Sequence, residues 1–435
     1  MEINAKSYFI LTYGCQMNEY DSSLVEGILE REGYQRAARF EEAEVVLVNT
    51  CSVREKAEET AIEKLRNLQA LKRGRPTMKL GVLGCMAENR KEALFASLPK
   101  LDFAIGPDHY AELPRLLGGA EKSLALGNVA EDPYRGMYAV SGGAISTFVA
   151  VQRGCNLRCA YCIVPSTRGP EKSRSLSDIV EETRRLADRG AVEITLLGQT
   201  VNAYRAQDGN WIDLLRAVSQ VEGIRRIRFT SPHPRYFTAG IVSEMAELPK
   251  LMPHVHLPLQ SGSSKVLRAM RRQYGRDQYL ATVARLRAAI PDIAITTDII
   301  AGFPGESEED HLATLSLMRE VRFDQAFMFA YSPRPGTPSA ALPETIDRTE
   351  KIRRLEEIIA LQLEHTRERL DARVGAVEEV LLEHPSRREA REWVGRMPHF
   401  RKVVLVPSEK PRPGQIVTAR VNARRGQVLW GEMLP

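Results

Sequence analysis

Residues 146–169 read STFVAVQRGCNLRCAYCIVPSTRG, and this stretch decides the fold. Residues 147–152 are rich in apolar and β-branched side chains, which predicts a strand. The loop that follows carries Cys155, Cys159 and Cys162, with three and then two residues between them. Thiols this close in the chain can surround a single metal centre. We call these three cysteines the loop triad.

The spacing of the loop triad favours an iron–sulfur cluster over zinc. Zinc sites normally use paired Cys-x2-Cys units or add histidine to reach four ligands, and no fourth Cys or His follows closely here. Three thiolates on a 4Fe-4S cluster leave one iron without a protein ligand. An open metal position is typical of a catalytic site. Three unrelated surface thiols are the alternative, but they would be exposed to oxidation without any gain.

The chain after the loop alternates strand-like runs with helical patterns. Six such strands predict a partial (β/α)6 barrel over residues 140–373, with its chemistry at the carboxyl ends of the strands. The predicted strands are residues 147–152, 192–197, 224–230, 254–257, 293–299 and 326–330. Polar motifs follow the later strands, and together they predict a ligand-binding rim. His254 and His256 alternate in the fourth strand and are either metal ligands or hydrogen-bonded side chains of the barrel.

Three further cysteines, Cys15, Cys51 and Cys85, lie far apart in the first 126 residues. Each follows a strand-like run, and helical patterns separate the runs. The runs are residues 8–13, 44–48 and 79–83. Parallel strands end at one edge of a sheet, so we expect the three thiols to converge on a second cluster site. The alternative is three small buried core residues. We call these cysteines the strand-end triad.

The last region, residues 374–435, contains five short alternating runs with Gly and Pro turns, which predicts a small OB-like β-barrel. It carries 11 basic and 7 acidic residues, whereas the whole chain has a net charge of +5. This excess indicates a polyanionic partner such as nucleic acid, although a solvated basic surface would show the same charge. Trp393, His399, Phe400 and Trp430 are candidates for stacking on bases, and core filling is the alternative for the tryptophans.

The overall composition is that of a globular protein, with 43 % apolar and 27 % charged residues. No apolar run is long enough for a transmembrane helix, and the first residues lack the pattern of a secretory signal. We therefore expect a cytoplasmic protein with reduced cysteines rather than disulfides. No interface stripe stands out, so we expect a monomer.

Several of these motifs resemble those of one known family. RGCNLRCAYCIVPSTRG resembles the cluster loop of radical S-adenosylmethionine (SAM) enzymes. YGCQMNEYDS, NTCSVREKAEE and LGCMAE are similar to the three cysteine motifs of the methylthiotransferase family, and the last region resembles its TRAM RNA-binding domain. The resemblance covers essentially the whole chain. It implies an α/β fold with an N-terminal parallel domain (1–126), a radical SAM core (140–373) and a TRAM barrel (374–435).

The resemblance also implies the cofactors, which are two 4Fe-4S clusters and SAM. The loop triad would hold the cluster whose open iron binds SAM, and reductive cleavage would give a 5′-deoxyadenosyl radical. That radical would take hydrogen from carbon 2 of an adenine ring. The strand-end triad would hold the auxiliary cluster, which carries the sulfur that a second SAM methylates.

The implied partners are a tRNA with a prenylated adenosine beside the anticodon and a flavodoxin- or ferredoxin-like electron donor. Threonylcarbamoyladenosine in tRNA and an aspartate of a ribosomal protein are alternative substrates, and a non-catalytic tRNA-binding iron–sulfur protein is the alternative class. For SAM we expect contacts from Tyr161, Gln199, Asn202, Ser231, Gln260 and Asp298. For RNA or the substrate we expect contacts from Arg334, His399 and Phe400.

Two places depart from the family pattern. Thr200 stands where relatives commonly have Asn in Gly-Gln-Asn-Val-Asn, and GRMPHFRKVV replaces a stretch that usually has small polar residues before its valines. The second departure bears on the RNA contacts expected around residues 397–400.

Overall fold

The computed structural model describes residues 6–52, 55–129, 132–140, 143–389, 391–407 and 410–435. Within these ranges no helix is long and apolar enough to cross a membrane. The side chains of residues 55–57 are outside the description.

The N-terminal region forms a parallel six-stranded sheet with helices on both faces, which confirms the predicted α/β domain. The strand order is β2-β1-β3-β4-β5-β6. Its elements are β1 (Ser7–Tyr13), α1 (Gln16–Arg31), β2 (Gln35–Arg36), β3 (Val45–Thr50), α2 (Glu55–Gly74), β4 (Lys79–Leu83), α3 (Cys85–Arg90), α4 (Ala93–Ser97), β5 (Phe103–Ile105), α5 (Leu113–Gly118) and β6 (Ser123–Ala125). One apolar core packs α1 and α5 on the sheet, and a second packs α2 and α4 on its other face. The adjacent strands β1, β3 and β4 therefore end at one edge.

The helical pattern over residues 88–97 predicts one helix, but the structure has two. α3 ends next to Lys91, whose φ of 48° lies in the left-handed region that does not continue a right-handed helix. α4 begins two residues later. The break shortens the segment after Cys85 without changing its position at the end of β4.

The central region forms the predicted partial barrel. Its elements are β7 (Ser146–Ala150), β8 (Gln152–Arg153), α6 (Val164–Arg168), β9 (Lys172–Ser173), α7 (Leu176–Asp188), β10 (Glu193–Leu197), β11 (Arg205–Ala206), β12 (Gly209–Asn210), α8 (Trp211–Ser219), β13 (Arg226–Phe229), α9 (Ala239–Ala246), β14 (His254–His256), α10 (Ser264–Ala269), α11 (Arg276–Ala289), β15 (Ala294–Ala301), α12 (Glu308–Val321), β16 (Gln325–Ala330) and α13 (Arg348–Asp371).

The barrel strands follow one another in chain order. The sheets β7-β10-β13 and β14-β15-β16 are parallel, and a bridge between Ile227 and Leu251 joins them. One large apolar core packs the outer face of the strands against the helices. The barrel is therefore incomplete, with β7 and β16 as its two edge strands, as the six predicted strands indicate.

The N-terminal domain packs on the barrel through buried polar contacts. Tyr20 of α1 donates a hydrogen bond to Glu182 of α7, with 3.1 Å between the oxygens. Arg168 of α6 pairs with Asp21 of α1 at 2.8 Å, and both side chains are buried. These contacts hold the sheet edge of the first domain against the cysteine loop of the barrel.

The last region is a closed five-stranded barrel, as predicted, with the strand order β17-β18-β19-β21-β20. Its strands are β17 (Val377–Pro385), β18 (Trp393–Arg396), β19 (Lys402–Val406), β20 (Ile416–Arg425) and β21 (Val428–Met433). The turn between β18 and β19 docks on the amino ends of the (β/α) strands. There Arg228 donates to the backbone oxygens of Met397 and Pro398, at 3.0 and 2.8 Å.

Candidate iron–sulfur site

A single cavity of about 310 Å³ gathers both cysteine triads. It lies where the edge of the N-terminal sheet meets the carboxyl ends of the barrel strands. Its lining includes Cys15, Cys51, Cys85, Cys155, Cys159 and Cys162. The strand positions predicted that the strand-end triad lies together, and the cavity lining agrees with this. That the two triads share one cavity was not predicted from the sequence.

The strand-end triad is held close by backbone geometry. Cys15 is the N-cap residue of α1, and Cys85 is the first residue of α3. The backbone N–H of Cys51 donates to the oxygen of Tyr13 at 3.1 Å, which ties the ends of β3 and β1 together. A Cβ at Gly14 would lie 2.6 Å from the Cβ of Cys51, so glycine lets the two loops approach.

Two buried asparagines fix the first two loops of this triad. The side chain of Asn18 donates to the side-chain oxygen of Asn49 at 3.0 Å, and Asn49 donates back to the backbone oxygen of Asn18 at 2.9 Å. The Cys15 thiol donates to Asn18 at 3.3 Å. The asparagines of the CQMN and NTCS motifs thus position thiols that are distant in sequence.

The loop triad is anchored at several points of the barrel. The backbone N–H of Cys155 donates to the oxygen of Gly169 at 3.1 Å, and its sulfur lies 3.3 Å from the hydroxyl of Thr200. The guanidinium of Arg272 donates to the sulfur of Cys159 at 3.3 Å. Thr200, one of the departures from the family pattern, therefore contacts a cysteine of this triad directly.

Arg168 connects the two triads. It lies six residues after Cys162, and its Nε donates to the sulfur of Cys85 at 3.2 Å. Its terminal nitrogen pairs with Asp21, which also accepts hydrogen bonds from Tyr110 and Tyr134. A buried cation thus lies beside a thiol of the strand-end triad.

The protein environment shifts the pKa of several of these thiols. Burial raises the pKa of Cys162 to about 12, and burial also raises the pKa of Cys85 and of Cys155. The pKa of Cys15 falls to about 6, chiefly through its hydrogen bond with Cys51. At neutral pH the thiols with raised pKa values would have to give up their protons on binding a metal. Thiolate is the ligand type that iron–sulfur clusters take from proteins.

The described residues contain no group of three His, Cys, Asp or Glu side chains that could hold a single metal ion. In an iron–sulfur cluster the cysteine thiolates ligate the irons of one larger group, so they need not meet at one point. Two groups of three thiols around one cavity agree with clusters better than with a mononuclear ion.

Five of the six residues expected to contact SAM line the barrel side of the cavity. They are Tyr161, Gln199, Ser231, Gln260 and Asp298. Ser231 and Gln260 have φ values of 56° and 71° although neither is glycine. A non-glycine residue with such a backbone conformation costs about 1 kcal/mol or more of stability. Residues of this kind are often found at functional sites.

Asn202 does not line this cavity. Its amide donates to the backbone oxygen of His233 at 3.1 Å and accepts from the backbone N–H of His233 at 2.8 Å. Asn202 therefore positions the loop that carries His233, whose side chain does line the cavity.

Three polar atoms of lining residues have no hydrogen-bond partner among the described residues. They are the side-chain oxygen of Gln199, Nε2 of His233 and one terminal nitrogen of Arg168. Burial lowers the pKa of His233 to about 3, so its ring is neutral. Because Nδ1 accepts from the backbone of Arg235, the proton lies on Nε2 and is available to a ligand. Besides the thiols, these residues thus offer one acceptor, on Gln199, and two donors, on His233 and Arg168.

The three residues expected at RNA or substrate lie elsewhere. Arg334 is half-buried in the loop after β16. His399 lies 3.3 Å from Glu378 and 3.4 Å from Asp292, between the terminal barrel and the (β/α) barrel. Phe400 stacks on His254 with 5.0 Å between ring centroids and is 42 % exposed.

Arg168, Arg272 and His233 are not among the residues that the sequence predicts for the site. Arg168 stands in the quoted stretch of residues 146–169, and His233 follows the third predicted barrel strand two residues after Ser231, so their neighbourhood was a signal. Arg272 lies in an arginine-rich stretch after α10 that carries no recognisable pattern. Its contact with Cys159 is visible only in three dimensions.

Three regions of the chain match known families. Residues 149–318 match the Radical SAM superfamily, residues 7–106 match Uncharacterized protein family UPF0004, and residues 371–434 match the TRAM domain.

Curated relatives match the chain over nearly its full length. A tRNA-2-methylthio-N(6)-dimethylallyladenosine synthase from Chlorobium luteolum is 44 % identical, covering 98 % of this chain and 97 % of that protein. The protein of the same name from Akkermansia muciniphila is 42 % identical and covers 98 % of each.

Solved structures share the fold at low sequence identity. The radical S-adenosylmethionine methyltransferase TsrM from Kitasatospora setae, with cobalamin and a 4Fe-4S cluster bound, aligns with a TM-score of 0.58 at 15 % identity over 77 % of this chain and 74 % of that chain. The cobalamin-dependent S-adenosylmethionine radical enzyme OxsB aligns with a TM-score of 0.53 at 10 % identity, over 82 % and 56 %. This likeness concerns the fold.

Proposed function

Since the chain belongs to the family of tRNA-2-methylthio-N(6)-dimethylallyladenosine synthases, we propose that it inserts a methylthio group at carbon 2 of N6-isopentenyl (dimethylallyl) adenosine next to the tRNA anticodon. It is a radical SAM enzyme. The relatives named above support this substrate over threonylcarbamoyladenosine and over a ribosomal-protein aspartate. They also favour an enzyme over a non-catalytic iron–sulfur protein.

The observation that carries the proposal is the single cavity lined by all six cysteines. A 4Fe-4S cluster and SAM follow from the radical SAM family. The second cluster is our proposal, with the loop triad holding one and the strand-end triad the other. When bound, these groups supply the radical that removes the C2 hydrogen, and they supply the sulfur of the methylthio group.

The chain's own residues bind, orient and shield these groups. Arg272 places a cation at the loop triad, and Arg168 places one at the strand-end triad. We propose that Gln199 and His233 use their unpartnered atoms for the polar groups of SAM. Tyr161, Ser231, Gln260 and Asp298 complete its surroundings, while Asn202 positions the His233 loop.

The partners follow from the reaction. The TRAM match and the names of the relatives support tRNA as substrate. Arg334, His399 and Phe400 stay candidates for RNA contact. We further propose a monomer that works in the cytoplasm with a flavodoxin- or ferredoxin-like donor, because cleavage of SAM consumes an electron.

The test uses anaerobically reconstituted protein with SAM, a reductant and tRNA that carries the prenylated adenosine. Digested tRNA is examined by mass spectrometry for the methylthio nucleoside, and iron is counted in the same sample. We expect product with about eight irons per chain, which is four for each of two clusters. Cleaved SAM without product would move the reaction to another substrate. About four irons without cleavage would mean that one triad is misassigned.

A further inference from the structure

The inner face of strand β16 carries two large apolar side chains that solvent can reach. Phe327 and Phe329 are 46 % and 39 % exposed. Their neighbours Ala326 and Met328 pack in the core between the strands and the helices. Because side chains alternate between the faces of a strand, the two phenylalanines face the barrel interior. Exposed aromatic rings in such a concave place mark a binding surface for an apolar group.

This surface continues the cavity of the six cysteines. In the register of the parallel strands, Phe327 lies beside Asp298 and Phe329 lies beside Ile300. Asp298 lines the cavity. Ile300 packs against the same small apolar cluster as Tyr161 of the cysteine loop. The phenylalanine pair is therefore one strand away from the groups that surround the loop triad.

The position of Phe327 is fixed by polar neighbours. Its ring lies edge-on to His256, with 5.8 Å between centroids. His256 in turn lies 3.1 Å from Asp298 and 3.0 Å from Thr296. One edge of the Phe327 ring therefore rests on an imidazole whose own position is set by two polar partners.

The surface is also reachable from outside the barrel. Among the described strands β16 is paired with β15 on one side only. No further described strand therefore covers this edge, and a base extruded from an RNA loop would approach the two exposed phenylalanines along it.

The proposed substrate carries an apolar group at the matching place. Only N1 separates C2 of adenine from C6, which carries the exocyclic N6, so a base with C2 toward the clusters presents its N6 substituent to the adjoining wall. The prenyl group is a hydrocarbon without hydrogen-bonding atoms, so apolar burial is what can recognise it. We propose that Phe327 and Phe329 form the wall that binds this prenyl group and selects prenylated over unmodified adenosine. This inference rests on the proposed function.

The test measures RNA binding to the reconstituted holoenzyme with SAM present and reductant absent. Two anticodon stem-loop RNAs are compared by fluorescence anisotropy, one with the prenyl group and one without it. Phe327→Ala and Phe329→Ala should each weaken binding of the prenylated RNA roughly tenfold, which is the range for small apolar groups in a pocket. Binding of the unmodified RNA should hardly change. Phe→Leu at either position should keep most of the preference.

Leu312→Ala is the matched control, because Leu312 is 51 % exposed on helix α12. It should leave both affinities unchanged. Iron content and circular dichroism verify that each variant is folded and loaded.

An unchanged ratio of the two affinities in both alanine variants would overturn the proposal. If that ratio stays constant while SAM binding weakens, the wall belongs to the adenine of SAM, and the proposal fails as well. Failure of the proposed function is separate: the unaltered enzyme would then form no methylthio nucleoside on the prenylated tRNA.

Discussion

At the residue scale, Arg168 is the side chain through which the two halves of the candidate site meet. It follows the loop triad in sequence, yet it contacts Cys85 of the strand-end triad and Asp21 of α1. The Asp21 carboxylate is buried and accepts two tyrosine hydroxyls as well. Loss of the guanidinium would leave that carboxylate without the cation that it contacts directly.

Arg168→Gln should destabilise the protein by about 3–5 kcal/mol, since removing one partner of a buried pair leaves the other charge uncompensated. Iron bound per chain should fall toward half. Thermal unfolding and an iron assay check both effects. The double variant Arg168→Gln with Asp21→Asn should recover part of the stability.

Arg184→Gln is the control. It removes an exposed arginine 4.0 Å from Glu181 and should change little. If Arg168→Gln and Arg184→Gln changed stability and iron content equally, the pair of Arg168 and Asp21 would have no special role in holding the site together.

Gln260 gives a second prediction at this scale. Gln260→Ala should weaken SAM binding by about 10- to 100-fold, the range for a hydrogen bond to a charged group. The side chain lies in the cavity at a left-handed backbone position. Isothermal titration calorimetry on reconstituted protein measures the effect, with the exposed Gln220→Ala as the control. Binding equal to that of the unaltered protein would remove Gln260 from the SAM site.

The structure places some of the predicted residues at the cavity and others elsewhere, for a physical reason. Cysteines at the ends of adjacent parallel strands must share an edge, so topology alone brings the strand-end triad together. The direction of a loop side chain depends on local turns that a single sequence does not reveal. Asn202 accordingly turned out to hold a loop backbone, and His399 lies among carboxylates between domains.

At the scale of elements, the cysteine loop depends on a close approach at Gly154. Its φ is 69°, and a Cβ there would lie 2.0 Å from the backbone oxygen of Pro170. Neither backbone segment can move without displacing the loop triad. Glycine is therefore required both for its conformation and for the space.

Gly154→Ala should abolish the cluster of the loop triad, reduce iron to about four per chain and prevent SAM cleavage. Gly136→Ala is a matched control, because Gly136 has a φ of 70° and a Cβ there would meet open space among the described residues. That variant should cost about 1 kcal/mol and retain its iron. The iron content and the unfolding curve of each variant show whether the close contact at Gly154 is needed to hold the cluster. Comparable iron loss in both would show that backbone strain, rather than the contact with Pro170, is responsible.

Long periodic elements could be predicted from the sequence, and short ones could not. The main barrel strands and the five strands of the terminal barrel were recognised because hydrophobic alternation or continuity extends over several residues. The two-residue strand β2 and the five-residue helix α6 were missed, since their few residues carry no periodicity. α6 positions Arg168, so the omission also concealed a residue of the site.

At the scale of the molecule, the terminal barrel and the cluster cavity lie at opposite ends of the (β/α) strands. Phe400 stacks on His254, the first residue of β14, and Arg401 pairs with Asp324 just before β16. The cavity residues follow the carboxyl ends of the strands. A strand of eight residues such as β15 spans about 26 Å. The stretch that departs from the family pattern, around residues 397–400, is the one that docks here, and it contacts the (β/α) barrel through Phe400 and the backbone of Met397.

This separation predicts which part of the RNA the terminal barrel contacts. A base that reacts at the clusters lies about one barrel height away from residues 374–435. These residues should therefore contact a part of the tRNA outside the anticodon loop. Arg387 and Arg388 are exposed in the loop between β17 and β18, at the end of the small barrel away from the docked turn.

Replacing Arg387 and Arg388 with Ser should therefore weaken binding of full-length tRNA and reduce the salt dependence of that binding by about one unit of slope per lost phosphate contact. Binding of a short anticodon stem-loop should stay the same. Filter binding over a range of salt concentrations measures both. The pair Arg184→Ser and Arg189→Ser removes the same charge from α7 and the residue after it, and should affect neither RNA. If the stem-loop lost as much affinity as the full tRNA, the terminal barrel would contact RNA close to the reacting base, and residues 397–400 would again be the first candidates.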